Sequence, residues 1–408
     1  MKIWKIYIID FFSDQFLSIF IRVISAFSVL LSSVIVSRLF VNKELSLYYL
    51  IIPVSTFFTM IFISPVSIFK LNRTIQNNTN IYKVIIEYIF FLFILAFLFS
   101  ISLIFFLNNI DLKLRVLFSI YLFTEITIGT ISGIIVQNES VHGKTSRSAK
   151  IGFIISISTI ILPLIIGFLF TWNLESWIIG LITSRLVQIP IVAYVLNPFI
   201  SHNNLKLKIL IFIRDIYINW KSILKLSFNS ILSWLHQNTS KFVISSYLGL
   251  NFSAPYLYVY SISATMASVL EGIFKPILDR NMFTSVNKIE KKIIKIDYIY
   301  ILLGVIGFIS LPIIGNIISK YRYEKYMNLS RFVFLFEISR LSMYYKLSLY
   351  QIKFGYNKTL SINIIFLFIY LALVYLFIYL SSSLFSFILL FVILFLVVLF
   401  LIRKIPSI

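Results

Sequence analysis

The sequence predicts an all-α polytopic membrane protein with about twelve transmembrane helices in two pseudo-symmetric six-helix bundles. Three observations lead there. First, 60% of the 408 residues are hydrophobic and only 12% are charged, with a mean hydropathy of +0.97, whereas soluble domains carry about a quarter charged residues. Second, apolar runs of roughly 20 residues, the length that crosses about 30 Å of hydrocarbon, recur along the whole chain. Third, "FVISSYLGLNFSAPYLYV" (Phe242 to Val259) lies over "SVIVSRLFVNKELSLYYL" (Ser33 to Leu50) at an offset of 209. Six of eighteen positions are identical: Val34/Val243, Ile35/Ile244, Ser37/Ser246, Leu39/Leu248, Asn42/Asn251 and Tyr49/Tyr258.

In chain order the predicted spans are 16–39, 45–69, 84–106, 116–136, 151–170, 177–196, 222–248, 256–278, 296–318, 332–352, 359–380 and 384–402. They read as helices because barrel strands would show ten-residue alternation instead of long runs. The first follows a short Lys-bearing segment and lacks a small-residue cleavage site, which predicts a retained helix and not a removed signal peptide. The longest break, 197–221, contains "HNNLKLKILIFIRDIYINWK", whose apolar and basic residues fit a helix on the inner membrane surface. It divides the chain into an N-terminal bundle (1–200), a cytoplasmic interfacial linker (201–221) and a C-terminal bundle (222–408). Six crossings return a chain to its starting side, so the halves are expected as parallel repeats.

Charge sets the expected topology. With both termini cytoplasmic, the inner segments carry 23 Lys and Arg and the outer segments seven: Lys43, Lys113, Arg115, Lys320, Arg322, Lys325 and Arg331. The net charge of +21 therefore reads as positive-inside bias facing an anionic leaflet, and not as nucleic-acid binding.

Enzyme signatures are nearly absent. There is no cysteine, hence no disulfide scaffold, thiolate metal site or thiol nucleophile. "HGKT" (His142 to Thr145) resembles a phosphate loop, but Asn138 stands where that loop needs its first glycine. His142, His202 and His236 are far apart in sequence and read as interfacial polar residues, not metal ligands. No cofactor is implied, and the driving force must come from a gradient or from the substrate's own concentration difference.

Ionisable residues inside spans carry the functional expectation, because burying them is costly. Lys83/Glu87 and Glu271/Lys275 at i,i+4, and Glu337/Arg340 at i,i+3, share helix faces. Glu87 and Glu271 lie near span ends and read as structural. Arg22, Glu125, Arg185, Lys241 and Arg340 lie deeper. Four cations against Glu125 and Glu337 make a positively charged interior, suited to an anion and to phosphate in particular. Arg22, Lys241, Arg340 and Arg185 are thus candidate substrate-binding residues, and Glu125 and Glu337 candidate coupling or ion-pair groups. The rival reading is that they pair across helices and only hold the bundles together. Arg38, at the outer end of the first span, either faces the substrate route or snorkels to the interface. The outer loop "SKYRYEKYMNLSR" (Ser319 to Arg331) breaks the charge rule with four basic residues and three tyrosines. Lys320 and Arg322 there belong either to an outer mouth for sugar and phosphate or to an interfacial anchor.

The first-span pattern "SDQFLSIFIRVISAF" followed by "VSRLFVNKELSLYYL", and the seventh-span pattern "TSKFVISSYLGLNFSAPYLYVY", resemble the polysaccharide flippases of the multidrug/oligosaccharidyl-lipid/polysaccharide (MOP) superfamily, in particular O-antigen (Wzx-type) translocases. The resemblance implies a MATE-like fold and translocation of an undecaprenyl-diphosphate-linked oligosaccharide by alternating access, without enzymatic chemistry. It also implies a cationic central cavity in membrane lipid, and a polymerase and chain-length regulator as neighbours. Carried over, the first-span arginine is Arg22 and the seventh-span cation Lys241. The Asp that precedes that cation in relatives is Ser240 here, and the Gly before Tyr in the short outer loops is Ser46 and Pro255. Two alternatives stand beside this reading: an O-antigen polymerase, which would want larger outer loops, and a small-molecule exporter of the same superfamily, for which cationic drugs would want an acidic cavity.

Overall fold

The computed structural model describes residues 31–60, 81–106, 110–141, 145–197, 205–284, 289–354, 356–380 and 384–404. Among them there is no β-strand; nearly every residue is helical. The helices are α1 (31–39), α2 (Asn42–Phe58), α3 (Ile81–Phe106), α4 (Leu112–Thr124), α5 (Thr130–Val141), α6 (Thr145–Leu169), α7 (Leu174–Leu196), α8 (Leu205–Leu248), α9 (Leu250–Thr284), α10 (Ile289–Ser319), α11 (Glu324–Phe354), α12 (Tyr356–Leu380) and α13 (Leu384–Lys404). A π-helical turn, Glu125–Gly129, joins α4 to α5 into one long helix.

Five described segments are long and apolar enough to cross a membrane: Leu112–Val136, Arg147–Leu169, Leu174–Leu196, Leu302–Ser319 and Leu360–Phe377. They coincide with five of the predicted spans. The predicted tenth span, inside α11, is not in this set and carries Glu337, Arg340 and Lys346. Its polarity is tolerated because α9, α10, α12 and α13 all pack on it. Phe334, Phe336, Leu329 and Val333 of α11 are fully buried in that surround.

The chain folds as two compact units. One contains Ile51–Ile231, in which α6 packs on α7, α3 on α4, α5 on α6, and α4 on α7. The close approach of α6 and α7 depends on Gly180, because a Cβ there would lie 2.3 Å from Pro163 Cα. The other unit contains Leu232–Ile408 together with Leu30–Leu50, so α1 and the start of α2 belong to the same unit as the C-terminal helices.

The repeat is visible as shared backbone breaks. The first copy interrupts its helix at Phe40 and Val41, and the second at Gly249, which is Phe40 shifted by 209 positions. The amide of Phe40 donates to Val36 O at 3.1 Å, and the equivalent amide of Gly249 to Ser245 O at 3.0 Å. Gly249 has φ +74°, a conformation that costs glycine nothing. The copies also touch within this unit: Ser46 Oγ donates to Leu250 O at 2.5 Å.

From Leu205 onward the stretch read as an interfacial linker is helical and forms the first part of α8, continuous with the seventh span over 44 residues. Nothing in "LKLKILIFIRDIYINWKSILKLSFNSILSWLHQNTSKFVISSYL" breaks a helix, for it holds neither Gly nor Pro.

Candidate functional site

Among the described residues, the deep in-span residues Glu125, Arg185, Lys241, Glu337 and Arg340 form one cluster in each unit. In the first unit, the π turn carries Glu125 and α7 carries Arg185. Arg185 Nε donates to Glu125 Oε2 at 2.7 Å and Nη2 to Glu125 Oε1 at 2.9 Å, a bidentate pair whose side chains are 15% and 21% exposed. Arg185 Nη1 also donates to Gln188 Oε1 at 3.1 Å, and Gln188 Nε2 donates to Ser158 Oγ of α6 at 3.2 Å. Polar groups from three helices are thereby tied into one network. Such π turns interrupt helices most often where a side chain must be re-aimed.

In the second unit, α11 places Glu337 and Arg340 one turn apart, with only 1% and 6% of each residue exposed. Glu337 Oε2 accepts from both Nε (3.1 Å) and Nη2 of Arg340. Glu337 Oε1 accepts from the Tyr260 hydroxyl of α9 at 2.6 Å. On the other side of that tyrosine, Lys241 Nζ lies 4.7 Å from the Tyr260 ring centroid and donates to Asn238 Oδ1 at 2.9 Å. Lys241 is half-buried and has no ion pair among the described residues. The Arg340 guanidinium lies 5.4 Å from the centroid of the Tyr344 ring, and the Tyr344 hydroxyl shares a 2.6 Å hydrogen bond with His236 Nδ1.

The structure thus brings Glu125 to Arg185, and Glu337 to Arg340 beside Lys241. Arg22, Lys83/Glu87 and Glu271/Lys275 lie outside the residues whose side chains are described, as do His142 and His202. His236, expected at an interface, is instead fully buried, with its ring centroid 4.5 Å from that of Phe366. Asn238, Tyr260, Gln188 and Ser158 were not singled out by the sequence. Asn238 precedes Lys241 by three residues and Gln188 follows Arg185 by three, each on one helix, so both could have been found from that spacing; Tyr260 and Ser158 come from separate helices and carry no local signal.

Where α1 and α10 end, in the second unit, the basic residues act on backbone. Arg38 Nε and Nη2 donate to Ile318 O (2.6 Å) and Ile317 O (2.8 Å), the last carbonyls of α10. Arg322 returns the arrangement: Nη1 donates to Ser37 O (3.0 Å) and Phe40 O (2.7 Å) at the end of α1, and Nη2 to Asn42 Oδ1 (2.8 Å). Each guanidinium therefore sits at the negative end of a helix and satisfies carbonyls that have no intrahelical partner. Lys320 and Tyr321 both have positive φ, 49° and 63°. They close a Schellman motif in which Tyr321 N donates to Asn316 O at 2.8 Å and Lys320 N to Ile317 O at 3.3 Å. Burial pushes the Tyr323 phenol up, partly opposed by the adjacent Arg322 guanidinium, and its hydroxyl donates to Asn42 Oδ1 at 3.1 Å. Arg38 and Arg322 are thus engaged in helix capping, while the Lys320 side chain is exposed.

No protein-family model and no curated protein matches the sequence. Solved structures match it in fold. An outward-facing multidrug resistance MATE family transporter of the MOP superfamily superposes with a TM-score of 0.66 at 14% identity, covering 96% of this chain and 95% of that one. A MATE protein in complex with MaD3S gives 0.59 at 14% identity over 96% and 95%. The Vibrio cholerae MATE transporter VcmN in its bent form gives 0.57 at 13% identity, covering 96% of both chains. The two clusters of buried charge are accordingly built on the fold of the MATE transporters of the MOP superfamily, a multi-pass membrane architecture.

Proposed function

We propose that this chain is a flippase that moves an undecaprenyl-diphosphate-linked oligosaccharide, an O-antigen or similar repeat unit, across the bacterial inner membrane by alternating access. The observation that carries this reading is Lys241. Arg185 and Arg340 each have a carboxylate, whereas Lys241 is held by an amide oxygen and an aromatic face and has no ion pair of its own among the described residues. A desolvated cation of this kind attracts an anion, and a diphosphate supplies one. Glu337 holds Arg340, and Tyr260 links that pair to Lys241, so Glu337 and Tyr260 position the cationic groups. Arg22 is proposed as a second phosphate contact on the strength of the resemblance, and the Glu125–Arg185 pair as an organiser of the first unit. A polymerase and chain-length regulator would be neighbours in the same pathway.

Small-molecule export is the second reading, favoured by the multidrug transporters that share the fold. Against cationic drugs stands the state of the carboxylates: Glu125 and Glu337 are both already paired with arginine.

The test is a lipopolysaccharide gel from a strain lacking the gene, complemented with wild type or with Lys241 variants at matched protein levels. Loss of O-antigen with accumulation of lipid-linked repeat units supports the flippase, and a core bearing a single repeat unit supports a polymerase instead. A hydrogen bond to a charged group contributes about 1.5–3 kcal/mol, so Lys241→Gln should lower export roughly ten- to hundredfold while Lys241→Arg retains most of it. Normal O-antigen in Lys241→Glu removes the residue from the proposal.

A further inference from the structure

α2 is fastened at its two ends to different units. Residues 31–50, which hold α1 and the start of α2, belong with the C-terminal helices, and from Ile51 the same helix belongs to the first unit. Beyond that crossing the Phe58 ring stacks on Phe99 of α3, with centroids 4.4 Å apart. Between the two anchorages the helix is weak. Pro53 has no N–H to offer the Tyr49 carbonyl, and its ring crowds that carbonyl. Ser55 Oγ donates to Ile52 O at 2.8 Å, Thr56 Oγ1 to Pro53 O at 2.9 Å and Thr59 Oγ1 to Ser55 O at 3.1 Å, so successive hydroxyls draw on helix carbonyls. At Thr59 and Met60 the backbone widens into a π turn. Helices bend at such places. The second copy of the repeat lacks the proline: Ile262 stands at the Pro53 position, fully buried in α9, and α9 stays within one unit.

Residues 31–50 are tied to the second unit by bonds that water replaces at little net cost. Arg38 reaches Ile317 O and Ile318 O, Arg322 reaches Ser37 O and Phe40 O, and Ser46 Oγ reaches Leu250 O. Asn42 Oδ1 receives Arg322 and the Tyr323 hydroxyl, and the Ser46 and Ser253 hydroxyls lie 3.3 Å apart. Each tie ends on a neutral carbonyl, amide or hydroxyl, so parting it trades one hydrogen bond for another with solvent. Val41 and Lys43 are exposed, which puts the ties within reach of water. Val36, Phe40 and Leu45 are buried, and that apolar contact keeps the docked state the majority one.

We propose that residues 31–50 are a strap that lifts off the second unit by bending of α2 at Pro53. Arg38 and Arg322 hold it shut, and Pro53 supplies the bend. Lifting uncovers Ser253 at the start of α9 and the last carbonyls of α10. The strap is defined by its own backbone and ties, and it stands whether or not the chain is a flippase.

The chain has no cysteine, so one introduced thiol reports on the strap. Ser253→Cys, at a position 0% exposed and beside Ser46, is reacted with a water-soluble maleimide in the full-length protein in lipid nanodiscs. Lys325→Cys, at an exposed position, sets the rate for an open site. Ser263→Cys, at a position 0% exposed farther along α9, reports unfolding. The expected result is slow labelling of Ser253→Cys that Arg38→Ala or Arg322→Ala speeds about tenfold, the weight of a charged donor on a carbonyl. Pro53→Ala, which returns an amide to the Tyr49 carbonyl and stiffens α2, should slow it several-fold. Ser263→Cys should stay inert throughout. The opposite signs separate lifting from a general loss of stability, which would speed both buried sites. Ser253→Cys that stays unlabelled in the arginine variants overturns the proposal, as does faster labelling in Pro53→Ala or labelling of Ser263→Cys in step with Ser253→Cys.

Discussion

Glu337→Gln is the sharpest probe of the second unit. The substitution keeps the side-chain shape and leaves an oxygen for the Tyr260 hydroxyl, but it removes the only carboxylate that touches Arg340 among the described residues. Arg340 is 6% exposed, and its guanidinium would remain in the core with Lys241 beyond Tyr260 and no counter-charge. Breaking one partner of a buried pair costs about 3–5 kcal/mol, most of it the cost of the charge left behind. Arg340→Met alone should cost a similar amount by stranding Glu337. The double variant strands nothing, so it should cost no more than either single alone, which makes the coupling energy at least about 3 kcal/mol. The assay is equilibrium unfolding of purified protein in mixed micelles, followed by tryptophan fluorescence, for wild type, both single variants and the double. Single variants within about 0.5 kcal/mol of wild type, or a double variant equal to the sum of the singles, would show that the pair is not the buried unit described and would refute the reasoning.

Two further outcomes are expected. Gly180→Ala drives a Cβ into the backbone of Pro163, which cannot yield, and should cost more than about 3 kcal/mol, seen as loss of the monodisperse peak in size exclusion. Gly133→Ala, with open space at its Cβ, should be neutral or stabilising by up to about 1 kcal/mol and serves as the control. Arg322→Ala leaves Ser37 O and Phe40 O without their guanidinium and should lower stability by about 1–2 kcal/mol, given its exposure. If Arg322 acted on substrate instead, the same variant would impair O-antigen export at unchanged stability.

The sequence by itself determined the solvent, the helical character and the repeat. Hydropathy is a sum over neighbouring residues, so a run such as Leu302–Ser319 declares its membrane-crossing length without reference to anything else. Gly249 ends its helix in the αL conformation, a local requirement that glycine meets without strain. Glu337 and Arg340 were legible as a pair for the same reason, since three residues on one helix fix their proximity.

What only the tertiary structure decided is which charges are already taken. Glu125 and Arg185 are 60 residues apart, and no spacing rule joins them until α7 packs beside the π turn. Arg38 and Arg322 read as basic residues near an outer mouth, but folding sets Arg38 against the end of α10 and Arg322 against the end of α1, about 280 positions away, where terminal carbonyls accept them. A charge in a low-dielectric interior takes its meaning from its nearest partner, and partners brought from distant helices are set by packing, which no local window of sequence encodes.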